Sequence, residues 1–242
     1  AYIQGENYRS DIDKVAFVGT PHQGSCNPYY IWEGGDPKAL DDITDSGWTS
    51  ILNPYSNTLE SLWRNSSLWS YFTWSNLRHG AIRKFVRENV PSLRQLMYTD
   101  NFLYDERTIL GPWKVSTPDN ENLWLNTLNQ GGQTTEGTLY AKPSNLMSKD
   151  GNGKVQVRLF VGYEEDSTIG YVETLSRDNP EFKDERYEDG RPRWPNHVML
   201  KYGDGTVPYE SAMWPATSGW ASLHEPKLAG KHMSLIGTYK TK

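Results

Sequence analysis

The turn Gly203-Asp204-Gly205-Thr206-Val207-Pro208 closes a short apolar run, and His232 follows 28 residues later in Lys231-His232-Met233-Ser234-Leu235. A carboxylate on a glycine-flanked turn can be held by backbone N–H groups while it faces a neighbouring loop. An imidazole that meets it there gains a fixed tautomer, and the imidazolium formed when it takes a proton is stabilised. That pairing is the acid–base half of Ser-His-Asp chemistry, in which histidine removes the proton of a serine that attacks a carbonyl carbon. Singly, an Asp-Gly pair reads as a turn and a lone histidine as a surface residue. The pairing, with the acid before the histidine, is what points to acyl chemistry.

Other residues invite functional readings and are weighed against plainer ones. His22, in the loop after the first apolar run, is a candidate for lining a substrate pocket; the plainer reading is a structural hydrogen bond. Ser25 follows Gly24 but lacks the second glycine of a nucleophile turn, so it is set aside as a nucleophile. Asp150-Gly151-Asn152-Gly153-Lys154 starts like a calcium loop but lacks the later acidic ligands, and reads instead as a hairpin turn. Glu164-Glu165-Asp166 reads as a solvated face, with cation binding as the functional alternative. Trp63, Trp69 and Trp74, with Tyr71 and Phe72 between them, are candidates for a substrate- or lipid-facing surface; ordinary packing is the alternative. No metal site and no cofactor are expected.

The elements that must position these residues can be read from periodicity. Val15 to Val18 is a short buried strand stopped by Gly19-Thr20-Pro21; Val155 to Val161 is a stronger one; His197 to Tyr202 is a third, ending at the Asp204 turn. Each delivers small or polar residues at its carboxyl end, where open α/β sheets place ligands. Ile82, Phe85 and Val86 predict a helix closing near Asn89, and Ser92 is expected to cap a short helix with Leu93, Leu96 and Met97 on one side. A third helix is expected after Pro118-Asp119, running through Leu123, Trp124, Leu125 and Leu128 to Gly131-Gly132. The charged, proline-rich stretch Asp178 to Pro195 reads as a solvated loop.

Val15-Ala16-Phe17-Val18-Gly19-Thr20-Pro21-His22-Gln23-Gly24-Ser25 resembles the strand and loop after the nucleophile elbow in lipases related to the lecithin:cholesterol acyltransferase group. Tyr202 to Pro208, followed by Ser211-Ala212, is similar to the family segment holding the catalytic acid, and His232 with Leu235 to the segment holding the catalytic base. Pro91-Ser92-Leu93-x-x-Leu96 resembles part of the family's cap. The resemblance implies an α/β fold: a partial α/β-hydrolase with residues 1–25 and 151–242 in the core and 26–150 as a helical, aromatic-rich cap. It assigns Asp204 and His232 as catalytic residues in the hydrolysis, or the acyl transfer, of lipid-like or other carboxylic esters.

The departure from that family is specific. No Gly-x-Ser-x-Gly occurs in the sequence, and the segment like Ala1-Tyr2-Ile3-Gln4 would follow the elbow, placing the serine upstream by about ten residues in a turn of that kind. The expectation is a carboxyl-terminal part of the fold that is inactive alone, and that self-associates or binds the missing half because an inner strand would otherwise keep an open edge. The alternative is a binding module derived from a hydrolase, holding lipid, glycan or a protein.

Composition narrows the field. A net charge of -5 without a basic cluster excludes a nucleic-acid surface. Ten Trp and fifteen Tyr suit wet interfaces, sugar faces or lipid headgroups, so contact with a membrane surface is a candidate role. The single cysteine, Cys26, excludes an internal disulfide. No apolar run approaches the roughly 20 residues of a membrane span. Compartment is left open, with an extracytoplasmic site favoured.

Overall fold

The computed structural model describes residues 1–35, 83–84, 86–104, 121–174, 189–193, 198–224 and 228–235. Trp63, Trp69, Trp74, Pro118, Asp119, His197 and most of the charged stretch before Pro195 lie outside the described residues, as do Ile82 and Phe85.

The fold mixes α and β structure around parallel strands. β1 (Lys14–Val18) pairs in parallel with β6 (Val155–Phe160), Val15 opposite Val157 and Phe17 opposite Leu159. The other edge of β6 takes two short parallel strands, β5 (Met147–Ser148) at its start and β9 (Ser222–Leu223) near its end. Alternation explains the sidedness of β6: Val155, Val157 and Leu159 are buried while Arg158 is exposed. Burying each of these aliphatic side chains stabilises the fold by about 1.5–3 kcal/mol. With Val161, Val207, Ala212, Trp220 and Ala221 they form one core cluster.

A second sheet, in the order β2 (Leu103–Tyr104), β7 (Glu164–Glu173), β8 (Val198–Gly203), lies over another cluster. β2 runs parallel to β7, whereas β7 and β8 are antiparallel, with Thr168 opposite Lys201 and Glu164 opposite Gly203. Ile169 and Val172 of β7 pack there against Cys26, Met97, Phe102 and the α1 residues Tyr29 to Trp32 (α1, Pro28–Trp32). Cys26 is fully buried, its thiol facing the Gly170 carbonyl at 3.4 Å, and burial pushes its pKa well above the ordinary thiol value.

The three expected strands thus exist: β1 starts one residue before its predicted bound, β6 ends one residue before its own, and β8 is shifted by one residue. β7 was not expected: its opening Glu164-Glu165-Asp166 is exposed, and only from Thr168 onward does the strand turn buried. Residues 83–84 and 86–89 are helical, ending with Val90 N–H on the Val86 carbonyl. α2 (Ser92–Gln95) begins at Ser92 with Pro91 as its cap and no side-chain capping bond, so Ser92 is not the cap. Leu93 and Met97 are buried as expected, but Leu96 is 45% exposed, because the helix ends there and the chain turns it outward. α3 (Leu123–Gln130) is capped by Asn122, whose side chain accepts from Leu125 N–H, and is stopped by Gly131 at φ 75°. The Asp150-to-Lys154 segment has positive φ at Gly151, Asn152 and Gly153, yet it joins the parallel neighbours β5 and β6 and is no hairpin. Within the charged stretch, the described residues are anchored: Asp189 is fully buried and Arg193 forms an ion pair with Glu173.

Candidate functional site

β8 ends at Gly203, and the chain folds back at once: Asp204 N–H donates to the Val207 carbonyl at 3.4 Å and Gly203 bridges to Pro208 before α4 (Tyr209–Thr217) begins. The Asp204 side chain closes the turn on itself. Its Oδ1 accepts from the backbone N–H groups of Thr206 at 3.1 Å and Val207 at 2.7 Å. Two backbone donors spent on one oxygen leave Oδ2 to face the opposite loop, where His232 Nδ1 lies at 2.8 Å. The two loops are tied a second time through the backbone, His232 N–H donating to the Asp204 carbonyl at 2.6 Å.

Asp204 is buried at 1% exposure, whereas the His232 side chain keeps 30% of its surface open. An ionised carboxylate accepts only, so His232 carries its proton on Nδ1 and presents Nε2 as a base. Among the described residues Nε2 has no hydrogen-bond partner. The hydrogen bond to Asp204 raises the imidazole pKa above its ordinary value, against the opposing effect of partial burial. The arrangement is a base with a fixed tautomer, a stabilised conjugate acid and a free nitrogen at the carboxyl end of the sheet.

Glycines make room for it. A Cβ at Gly19, just past β1, would stand 2.9 Å from Asp204 Oδ2 and 3.0 Å from His232 Nδ1, and the residue has φ +54°. A Cβ at Gly162, past the end of β6, would stand 2.5 Å from Asp204 Cβ. Leu235, at 1% exposure, fills the space beside both glycines and anchors the turn of 3₁₀ helix His232–Ser234. The sequence marked Gly19 only as a strand stop and gave no role to Gly162, although a glycine just past a β-prone run is a signal of close approach.

The remaining candidates fall elsewhere. His22 is buried but, among the described residues, makes no side-chain hydrogen bond; its Nε2 is enclosed without a partner. This corrects the expectation of a structural hydrogen bond: the ring instead stands edge-on to Phe17 at 4.7 Å and Trp220 at 5.9 Å, and only its backbone carbonyl accepts, from Asn129. Burial pushes its pKa down to about 4. His22 lines an apolar pocket of about 410 Å³ with Val15, Phe17, Trp124, Leu128 and Trp220, and Thr20, next to Gly19, is also in its lining. Ser25 is also accounted for, its hydroxyl donating to the Thr206 carbonyl at 2.6 Å. Among the described residues no group of three or more His, Cys, Asp or Glu side chains is placed to hold a metal ion.

No protein-family model matches the chain, and no curated protein matches it significantly.

Proposed function

We propose that Asp204 and His232 are the acid and the base of a serine esterase or lipase, in which an activated serine from outside these 242 residues attacks a carboxylic ester. The observation that carries the reading is the 2.8 Å contact from a buried carboxylate to Nδ1 of a half-exposed imidazole whose Nε2 has no partner among the described residues. In the forward step Nε2 takes the proton of the serine hydroxyl as its oxygen bonds to the acyl carbon. Asp204 stabilises the imidazolium, which then protonates the departing alkoxide. Water or an acceptor alcohol, deprotonated by the same nitrogen, releases the acyl group.

The finer architecture belongs to the same proposal: a partial α/β-hydrolase core with a cap drawn from residues 26–150. The parallel pairing of β1 with β6 supports it, as does the convergence of the Gly19, Asp204 and His232 loops at one end of that sheet. The substrate is a lipid-like or other carboxylic ester, and the apolar pocket beside His22 supports an apolar ligand.

A fluorophosphonate probe tests the assignment. It is expected to label the longer protein at a serine upstream of Ala1, and labelling should vanish in His232→Ala. Labelling at a serine within the present chain would overturn this division of roles. A longer protein that binds ester lipids but takes no label and turns nothing over would instead be a binding module built on a hydrolase frame.

A further inference from the structure

The Asp204 turn carries more constraint than its own side chain supplies. Its carboxylate uses the N–H groups of Thr206 and Val207, which leaves the Gly205 N–H and the Thr206 carbonyl pointing outward. Both are met by hydroxyls from other parts of the chain. Gly205 N–H donates to Thr168 Oγ1 on β7 at 2.8 Å, and the Thr206 carbonyl accepts from Ser25 Oγ at 2.6 Å. Thr168 is fully buried and Ser25 is 4% exposed, so both hydroxyls reach the half-buried turn from the protein side.

The direction of the Thr168 bonds follows from its neighbour. Ser167 Oγ donates to the Glu164 carbonyl at 3.0 Å, so in its 3.3 Å contact with Thr168 it accepts. Thr168 therefore donates to Ser167 and keeps a lone pair for Gly205 N–H, giving a one-way chain from Gly205 through Thr168 and Ser167 to Glu164. The approach of β7 is as close as it can be: a Cβ at Gly203 would lie 2.2 Å from Thr168 Oγ1. Both hydroxyls belong to the side of the second core, Thr168 beside Ile169 and Ser25 beside Cys26, whereas Val207 packs in the first. The acid turn is thus gripped where the two cores meet.

From this geometry we infer that Thr168 and Ser25 are positioning residues that clamp the Asp204 turn and so hold the carboxylate on His232 Nδ1. This inference rests on the reading of Asp204 and His232 as a catalytic pair, which it deepens by naming what fixes their alignment. Without the Thr168 hydroxyl, Gly205 N–H loses its tie to β7 and the turn is free to swing its carboxylate, whose hydrogen bond is what raises the His232 pKa.

The experiment is an NMR titration of His232 in this chain, following its ring carbons and the downfield Nδ1 proton. Thr168→Val, nearly the same shape without the hydroxyl, is expected to lower the His232 pKa toward the ordinary value and to weaken the Nδ1 proton signal. Thr168→Ser restores both, and Ser25→Ala lowers the pKa from the other side of the turn. The Ser25 variant carries the test if Thr168→Val does not fold. The inference is overturned if the valine and serine variants titrate alike, or if Ser25→Ala and Thr168→Val both leave His232 unchanged. With p-nitrophenyl acetate and the longer protein, Thr168→Val should reduce kcat by about ten-fold with little change in KM, the mark of misplaced machinery. A longer protein with no esterase activity whose His232 still shifts in Thr168→Val supports the clamp and sinks the hydrolase reading.

Discussion

Two histidines in this chain are treated in opposite ways by their surroundings, and the difference has a sign that stability measurements can read. His232 has a folded pKa above its unfolded value near 6.5, because the Asp204 hydrogen bond favours the charged ring. Its contribution is fully present below that unfolded value and is lost as pH rises through the raised folded pKa. His22 has a folded pKa of about 4 against 6.5, because burial disfavours its charged ring. The unfolded chain then binds a proton that the folded chain refuses, so stability falls as pH drops from 6.5 toward 4, with a limiting slope of about 1.4 kcal/mol per pH unit. Denaturant midpoints across this range should lose their acidic slope in His22→Phe and their slope above pH 6.5 in His232→Asn. A His22→Phe variant with the wild-type acid profile would mean that other groups set the acid limb. The same raised pKa fixes the direction for catalysis: a general base acts unprotonated, so the rate should rise with pH through the His232 titration.

At the scale of elements, the site depends on strands ending in residues that have almost no side chain. Gly162→Ala is the cleaner probe, since Gly162 lacks a positive φ and the new Cβ would meet side chains of the site, 2.5 Å from Asp204 Cβ and 3.1 Å from Leu235 Cδ2. It should destabilise the chain by about 1–3 kcal/mol through overpacking and displace the carboxylate from His232. Gly19→Ala adds backbone strain at φ +54° to a similar collision and should cost more. Thermal melting together with the His232 titration checks both; a Gly162→Ala protein with unchanged melting and titration would mean that the loops yield easily. The sequence made the ends of these strands legible because turn chemistry is local: Val18 before Gly19, and Tyr202 before Gly203-Asp204-Gly205, each announce a stop. It hid β7, whose first residues are charged and exposed, and with β7 it hid Thr168. Ser25 stood out only as a nucleophile to be rejected, because the carbonyl it serves lies 181 residues away in sequence. Long-range polar contacts between isolated hydroxyls and turns leave no periodicity to read.

At the scale of the whole molecule, β1 of the parallel sheet is paired on one side only among the described residues. Gly19 N–H donates to Phe160 and the Asp13 carbonyl accepts from Gln156, so the odd-numbered residues of this segment face β6. The backbone groups of Lys14, Ala16 and Val18 therefore face the other way, and among the described residues no strand pairs with that edge. β1 reads in sequence as an inner strand, yet here Lys14 and Ala16 are exposed and Val15, Phe17 and Val18 only half-buried. Such an edge is a template for another strand. Sedimentation of the isolated chain should show concentration-dependent association, and replacing Ala16 with proline, which removes one outward N–H, should weaken it. A monomer at all concentrations, unchanged by that substitution, would show the edge to be inert.

The burial of Cys26 has a use beyond packing. With one thiol in the chain, enclosed beneath the sheet that carries Thr168, a thiol reagent can react only with molecules in which that core has come apart. The rate of labelling is therefore a clock for opening of the second core. Ser25, which grips the acid turn, is the residue next to it in the chain, so the clock reads the lifetime of the frame on which the Asp204–His232 pair depends.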